Sequence, residues 1–304
     1  KQSSVYLSRP LTMERMDTHV GPLSVEVVEP LKKIRLRLEE TEGLALDVEF
    51  EGRAFPIEEP RFTRRIGSRM MMDLTRMTQN GRWTGSVRVD GESIEIRPED
   101  FSGTRDRSWG VRPIGAPDPQ PLIPAPTPQF YWIWTPTNFP NLSMFYHVNH
   151  DEHGVPWNTR AVIVPDGVAQ GEGIHLSDAQ MNVTYAPGTR RMASAYLDMT
   201  DPQGRAHKVT FEPIGTFLMK GIGYGHDKYR HGAFRGDQLA IAREDFEPAK
   251  MPWQVPENLH IQEIVRAKHE GPDGLGSEGI GTFEQLFMGL HAPSGFKDLL
   301  DGAK

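Results

Sequence analysis

From residue 23 to residue 96, apolar side chains recur at every second position, and that period dictates strands rather than helices. Ile34, Leu36 and Leu38 alternate with Arg35, Arg37 and Glu39, and Leu44, Leu46, Val48 and Phe50 alternate with Ala45, Asp47, Glu49 and Glu51. Strands of this kind bury one face and wet the other, so they predict antiparallel pairing. Asn80-Gly81 and Asp90-Gly91 accept positive φ at both central positions of a tight hairpin, and they predict a three-strand meander over 73–79, 83–89 and 94–96. The period resumes at 142–148, 159–164, 193–199, 208–212 and 261–267. Helical turns are predicted only for 9–16, 283–290 and 297–300.

Glycine and proline, 30 and 25 of 304 residues, add to the strand-and-turn character. Proline cannot donate to a sheet ladder, so the proline-crowded stretch 113–140 predicts a crossing loop around the aromatic run Phe130–Trp134. The expected product is a mostly β fold with few short helices, its strands closed into barrels or curled sheets that hide their edges. The loop divides it into two domains, 1–125 and 126–304.

Charge and cysteine usage narrow the function. With 34 basic and 41 acidic side chains the formal charge is −7, which argues against a nucleic-acid partner. The chain has no cysteine, which excludes disulfides, thiolate nucleophiles, iron–sulfur clusters and Cys-ligated zinc, and leans towards a cytoplasmic location, although a trimmed leader remains open. No run reaches the ~18 apolar residues of a membrane span. Nucleophile-elbow, Walker and zincin motifs are absent. Gly221-Ile222-Gly223-Tyr224-Gly225 lacks a βαβ context and reads as glycine-rich strand packing, not a nucleotide loop. Met70-Met71-Met72 reads as adaptable core packing in a strand.

His147, His150 and His153 invite a metal, with His150, Asp151 and His153 the least implausible ligands, but residues three apart on a strand face opposite ways, so no metal or other cofactor is expected. His226, in a polar loop with His231, is a candidate base or hydrogen-bond donor at a cavity rim, or a solvated loop residue. The densest stretch is Gly103-Thr104-Arg105-Asp106-Arg107-Ser108-Trp109-Gly110-Val111-Arg112. An exposed Asp106 would be a surface ion-pair carboxylate, whereas a buried one has a tunable pKa, raised by an apolar wall and lowered by guanidiniums.

This Arg-Asp-x-Ser-Trp-Gly-x-Arg stretch resembles the signature of the hydroxyneurosporene synthase (carotenoid 1,2-hydratase)-like, lipocalin-like superfamily. Glu58-Glu59-Pro60-Arg61, Gln79-Asn80-Gly81-Arg82-Trp83-Thr84-Gly85 and Gly281-Thr282-Phe283-Glu284-Gln285 extend the resemblance over most of the chain. It implies two packed lipocalin-like β-barrel or curled-sheet domains with a pocket for a large apolar molecule at their junction. It also implies cofactor-free chemistry of the hydratase or cyclase kind, with Asp106 in the position of the acid that protonates the alkene. The hydratases carry Tyr and His where this chain has Thr104 and Arg105, and the adjacent guanidinium favours an ionised carboxylate. Asp106 is then equally a general base, or half of a structural clamp with Arg105.

The leading expectation is a cofactor-independent lyase, hydratase or isomerase acting on an isoprenoid, steroid-like or polycyclic substrate. Asp106 is the acid or base, Arg105 a positioning group, and Tyr146, His147 and His226 are further proton-transfer candidates. Trp109, Arg112, Trp83, Tyr131, Trp132, Trp134 and Tyr224 are the substrate-binding candidates. The alternative is a non-catalytic carrier of an apolar metabolite.

Overall fold

The computed structural model describes residues 1–114, 128–272 and 276–304. The fold is mostly β, with two nine-stranded antiparallel sheets and four short 3-10 turns as its only helical elements among the described residues. In the first sheet the order is Ser102–Val111, Arg69–Val89, Leu44–Gly52, Lys33–Thr41, Leu23–Glu29 and His19–Val20. The 21-residue strand Arg69–Val89 is its spine, because Ile57–Glu58, Phe62–Ile66 and Glu92–Ile96 also pair with it. This sheet is curled and open.

The second sheet closes. Its strands run in ring order from Leu142–His150 through Pro156–Pro165, Ile174–Tyr185, Met192–Thr200, Ala206–Leu218, His260–Glu270 and Gly276–Met288. Phe130–Trp134 and Thr137–Phe139 share the last position and pair with both Leu142–His150 and Gly276–Met288. One closed barrel and one curled half-barrel are the expected pair of lipocalin-like sheets. A third, two-stranded ribbon joins the first strand, Gln2–Ser8, to Ala240–Phe246 in the 219–259 excursion between two barrel strands.

Alternation decides what the barrel encloses. Tyr131, Ile133, Met144, Tyr146, Leu197, Phe211, Phe283 and Phe287 all point inward and are buried in one continuous core. The interior is filled with side chains, as expected of an eight-stranded barrel. Trp132, Trp134, His147, Glu284 and Leu286, of opposite parity, point outward to the half-barrel.

Three sequence expectations are corrected. Asn80-Gly81 makes no turn; the strand runs straight through it, since Asn80 Nδ2 donates to the Thr137 carbonyl (2.9 Å) and its Oδ1 accepts from Thr104 Oγ1 (2.7 Å). Gly81 is required there by close approach, because a Cβ would lie 2.3 Å from the Phe50 ring and 2.4 Å from the Glu51 carbonyl oxygen. Gly81→Ala is therefore expected to destabilise the protein by about 1–3 kcal/mol, the usual cost of overpacking, measurable by urea unfolding; an unchanged midpoint would contradict the packing. Asp90-Gly91 does form the turn, with φ of 50° and 90°.

Residues 283–290 are not helical but form most of the barrel strand Gly276–Met288, and neither 9–16 nor 297–300 is helical. Phe283, Leu286, Phe287 and Leu290 do follow the helical spacing i, i+3, i+4, i+7, but pairing with Phe130–Trp134 and His260–Glu270 on either side overrides it. Gly221–Gly225 is likewise not strand packing. It follows a 3-10 turn, Met219–Ile222, closed by Gly223 at φ 95°.

Candidate functional site

The void of this molecule lies between the sheets. A cavity of about 1080 Å³ separates the outer face of the barrel from the half-barrel, roofed by the 219–259 excursion through Gly223, Tyr224, Gly225, Arg230 and His231. Phe62, Met71, Met72 and Leu74 of the half-barrel and Trp132, Leu286 and Met288 of the barrel supply its apolar walls. Two of the three methionines of 70–72 thus face the cavity, a softer lining than the core role expected of them.

Polar groups converge on one side. Glu59 is buried at the seam, where Arg76 donates to its Oε2 from Nε (2.9 Å) and Nη2 (2.6 Å). Thr78 Oγ1 (2.7 Å) and the Trp134 indole (3.2 Å) donate to Oε1. Burial opposes ionisation of Glu59, yet Arg76, His147 and these donors hold its pKa below the ordinary carboxylate range. The Arg76 guanidinium is also stacked among Phe62, Trp132 and Trp134, 5.0–5.3 Å from each ring. His147 Nδ1 lies 3.6 Å from Glu59 Oε2, beyond hydrogen-bond distance.

A second carboxylate, Glu284, sits on the barrel wall. Burial alone would raise its pKa, but His260 (2.9 Å), Gln262 (2.7 Å) and the Trp132 indole (2.9 Å) surround it and hold it down to about 2. Opposite lies the strand of the sequence motif. Its parity sends Arg105 and Asp106 to opposite faces: Arg105 Nε donates to Gln79 Oε1 (2.7 Å) over the Phe50 ring, whereas Asp106 shares a face with Thr78, Arg76 and Ser108. They form no clamp with each other.

Asp106 retains accessible surface, yet its carboxyl has no ion pair or side-chain hydrogen bond among the described residues. Surrounding protein atoms raise its pKa, Glu284 and Glu59 raise it further, and Arg76 and Arg112 only partly compensate. Arg112 Nη1 donates to Ser108 Oγ (2.6 Å), and Tyr224, whose pKa burial raises, lies within reach of Arg112, Glu284 and Asp106. An exposed carboxyl with a raised pKa, in the field of two guanidiniums and near an apolar cavity, is chemically able to give or take a proton.

The remaining sequence candidates scatter. Trp132 and Tyr224 line the cavity, and Trp134 and His147 stand just behind it at Glu59. Tyr146 and Tyr131 lie inside the barrel, Tyr131 bonding Tyr185 (3.1 Å) and stacking on His291. Trp83 packs edge-on against Phe50 on the far face, and Trp109 is half exposed. His226 sits in the ribbon, with Nε2 2.8 Å from Glu244 and its ring against Tyr6 and Tyr229, apart from the cavity. His150 contacts His291 (3.2 Å), while His153 is exposed in its turn. No group of three possible metal ligands occurs among the described residues.

Glu59, Arg76, His260 and Glu284 are the site residues that sequence reasoning did not select. For Glu284 the signal was present, since its parity opposes that of Phe283 and Phe287. For Glu59 and Arg76 nothing local marks the pairing, which forms across 17 residues by strand closure.

Burial pushes the imidazoles of His147 and His291 down to about 4 each, so both are neutral at pH 7. An unfolded histidine titrates near 6.5, so the unfolded state takes up protons first as pH falls below ~6.5. Stability is then expected to fall by up to ~1.4 kcal/mol per pH unit for each histidine until about pH 4. Urea unfolding between pH 7 and 5 measures the slope, and His147→Asn should make it shallower; an identical slope in the variant would contradict the assignment.

These features define a two-sheet β protein that holds an apolar cavity, with one polar wall, between a packed barrel and a curled sheet. Residues 1–297 match the family of unknown function DUF8625, and the chain belongs to that family. No curated protein matches the chain. A solved structure from Nitrosomonas europaea whose description names AttH is similar at 10% identity and a TM-score of 0.44, covering 84% of this chain. This chain spans 66% of that neighbour, less than two thirds of its length. No helix among the described residues is long and apolar enough to cross a membrane.

Proposed function

We propose that the protein binds a large apolar small molecule between its two lipocalin-like domains, 1–125 and 126–304, and acts on it by proton transfer without a cofactor. The observation that carries this reading is the cavity itself: about 1080 Å³, mostly apolar, with titratable groups gathered on one wall. Asp106 is the proton-transfer group, Arg76 and Arg112 set its charge environment, and Tyr224 and Glu284 complete the wall. The resemblance of the Asp106 motif to the hydroxyneurosporene synthase-like hydratases gives the reaction class, a lyase, hydratase or isomerase of isoprenoid, steroid-like or polycyclic compounds. A cytoplasmic location fits the cysteine-free chain.

One observation favours a carrier instead. Asp106 does not itself line the cavity, although Ser108 on its strand and Arg112 just past the strand's end do, and Thr104, where the hydratases have Tyr, is bonded to Asn80. Native mass spectrometry of protein isolated from a bacterial host, followed by denaturing extraction, separates the readings. An empty cavity, or a pair of extracted compounds differing by water or a small fragment, favours the enzyme. A single intact compound at one per chain supports the carrier and counts against the enzyme.

A further inference from the structure

The cavity's charge runs against that of the whole protein. The chain carries −7, yet the cavity is lined by five arginines (Arg64, Arg65, Arg76, Arg112, Arg230) against two glutamates, Glu152 and Glu284, a net of +3. Of the five, only Arg76 is in an ion pair among the described residues, with Glu59. Arg64 lies over the Trp157 ring (5.2 Å) and Arg230 donates to the backbone carbonyl of Asp227 (3.1 Å). Glu284, enclosed by His260, Gln262 and Trp132, forms no ion pair with those arginines among the described residues, and its charge reaches Arg76 only through the longer-range field. Arg112 is the most exacting case: Nη1 is bonded to Ser108 and the guanidinium also meets the Tyr224 hydroxyl, while Nε is buried with no hydrogen-bond partner among the described residues.

A buried N–H without an acceptor is costly, and guanidiniums facing an apolar space are poorly compensated by water. Both costs are relieved by the same occupant. From this we infer that the ligand is an amphipathic carboxylate: an apolar body of fatty-acid or sterol size lies against Phe62, Met72, Leu286 and Met288, and its carboxylate is held by Arg112. A carboxylate matches the planar guanidinium fork, accepting from Nε and a terminal nitrogen together. The other arginines draw the anion in through the longer-range field. This inference rests on the proposed use of the cavity as an apolar binding site, and it adds the charge of the ligand.

The test uses the whole chain and N-phenyl-1-naphthylamine, a neutral apolar fluorophore, displaced by dodecanoate or by methyl dodecanoate. The acid is expected to displace the probe at roughly tenfold or more lower concentration than the ester, the scale of a charge-assisted hydrogen-bonded pair. Arg112→Gln should abolish that advantage, and saturable binding of the neutral probe to the variant, at whatever affinity, shows that the cavity is still formed. Equal displacement by acid and ester in the wild-type protein overturns the anionic ligand but leaves the apolar site standing. An acid preference that survives in Arg112→Gln overturns the role of Arg112. Failure of the probe to bind saturably overturns the cavity reading and this inference with it. The wild-type comparison stands even where the variant does not fold.

Discussion

Replacing Glu59 with alanine is expected to destabilise the protein by about 3–5 kcal/mol, the cost of leaving a buried guanidinium without its counter-ion. Glu59 has almost no exposed surface and receives hydrogen bonds from Arg76, Thr78 and Trp134, two from the half-barrel and one from the barrel. Its removal orphans Arg76 among three aromatic rings and unties the two sheets at one point. The pair is less valuable than it is irreplaceable: Glu59→Leu with Arg76→Leu should lose far less than either single change, because no buried charge is left unpaired. The pH dependence has a definite sign. Glu59 has a depressed pKa in the folded protein, so its contribution is fully present above the unfolded value near 4.3 and is lost as pH falls through the folded one. Chemical unfolding of Glu59→Ala, the two single leucine variants and the double variant, at pH 7 and at lower pH, measures both effects, and a Glu59→Ala loss below about 1 kcal/mol at pH 7 would show that the seam does not depend on the pair.

The second large effect concerns Asp106→Asn. If the wall transfers protons, this isosteric change should lower turnover of the compound recovered with the protein by about 10²–10⁴-fold. Stability should stay within about 0.5 kcal/mol, because Asp106 has no ion pair or side-chain hydrogen bond to lose among the described residues. The raised pKa sets the direction of any residual change. An ionised Asp106 is disfavoured in the folded state, so its cost appears as pH rises from the unfolded towards the folded pKa. Asparagine removes that cost, and the variant should be as stable as the wild type or slightly more so at pH 7. Loss of several kcal/mol on mutation would instead mark Asp106 as structural, and undiminished turnover would remove it from the mechanism.

The strands were legible because their period of two survives any tertiary context in which one face is buried. Ile34, Leu36 and Leu38 pair with Phe50, Val48 and Leu46 in register, as their alternation implies. What misled was chemistry shared by two structures: Asn80-Gly81 suits a hairpin, but it equally suits a strand that another backbone must approach closely. Parity was also readable in Phe130–Trp134, where Tyr131 and Ile133 must oppose Trp132 and Trp134. Which parity enters the barrel was not, since both sets are apolar and the second sheet covers the outer one. Asp106 was selected through its motif, and its strand places Ser108, two residues on, at the cavity. Glu59, Arg76, His260 and Glu284 assemble only when strands distant in sequence close into a ring and a second sheet docks on it, a juxtaposition that no local window contains.

On the proposed reading the binding space lies between the sheets and not within the barrel. Leu286→Trp projects an indole from the barrel's outer face into the cavity and leaves the barrel interior untouched. Titration with N-phenyl-1-naphthylamine should show one saturable site per chain in the wild-type protein and at least about tenfold weaker binding in Leu286→Trp, with unfolding stability retained. Equal affinity in the two proteins would place the ligand elsewhere and contradict the account.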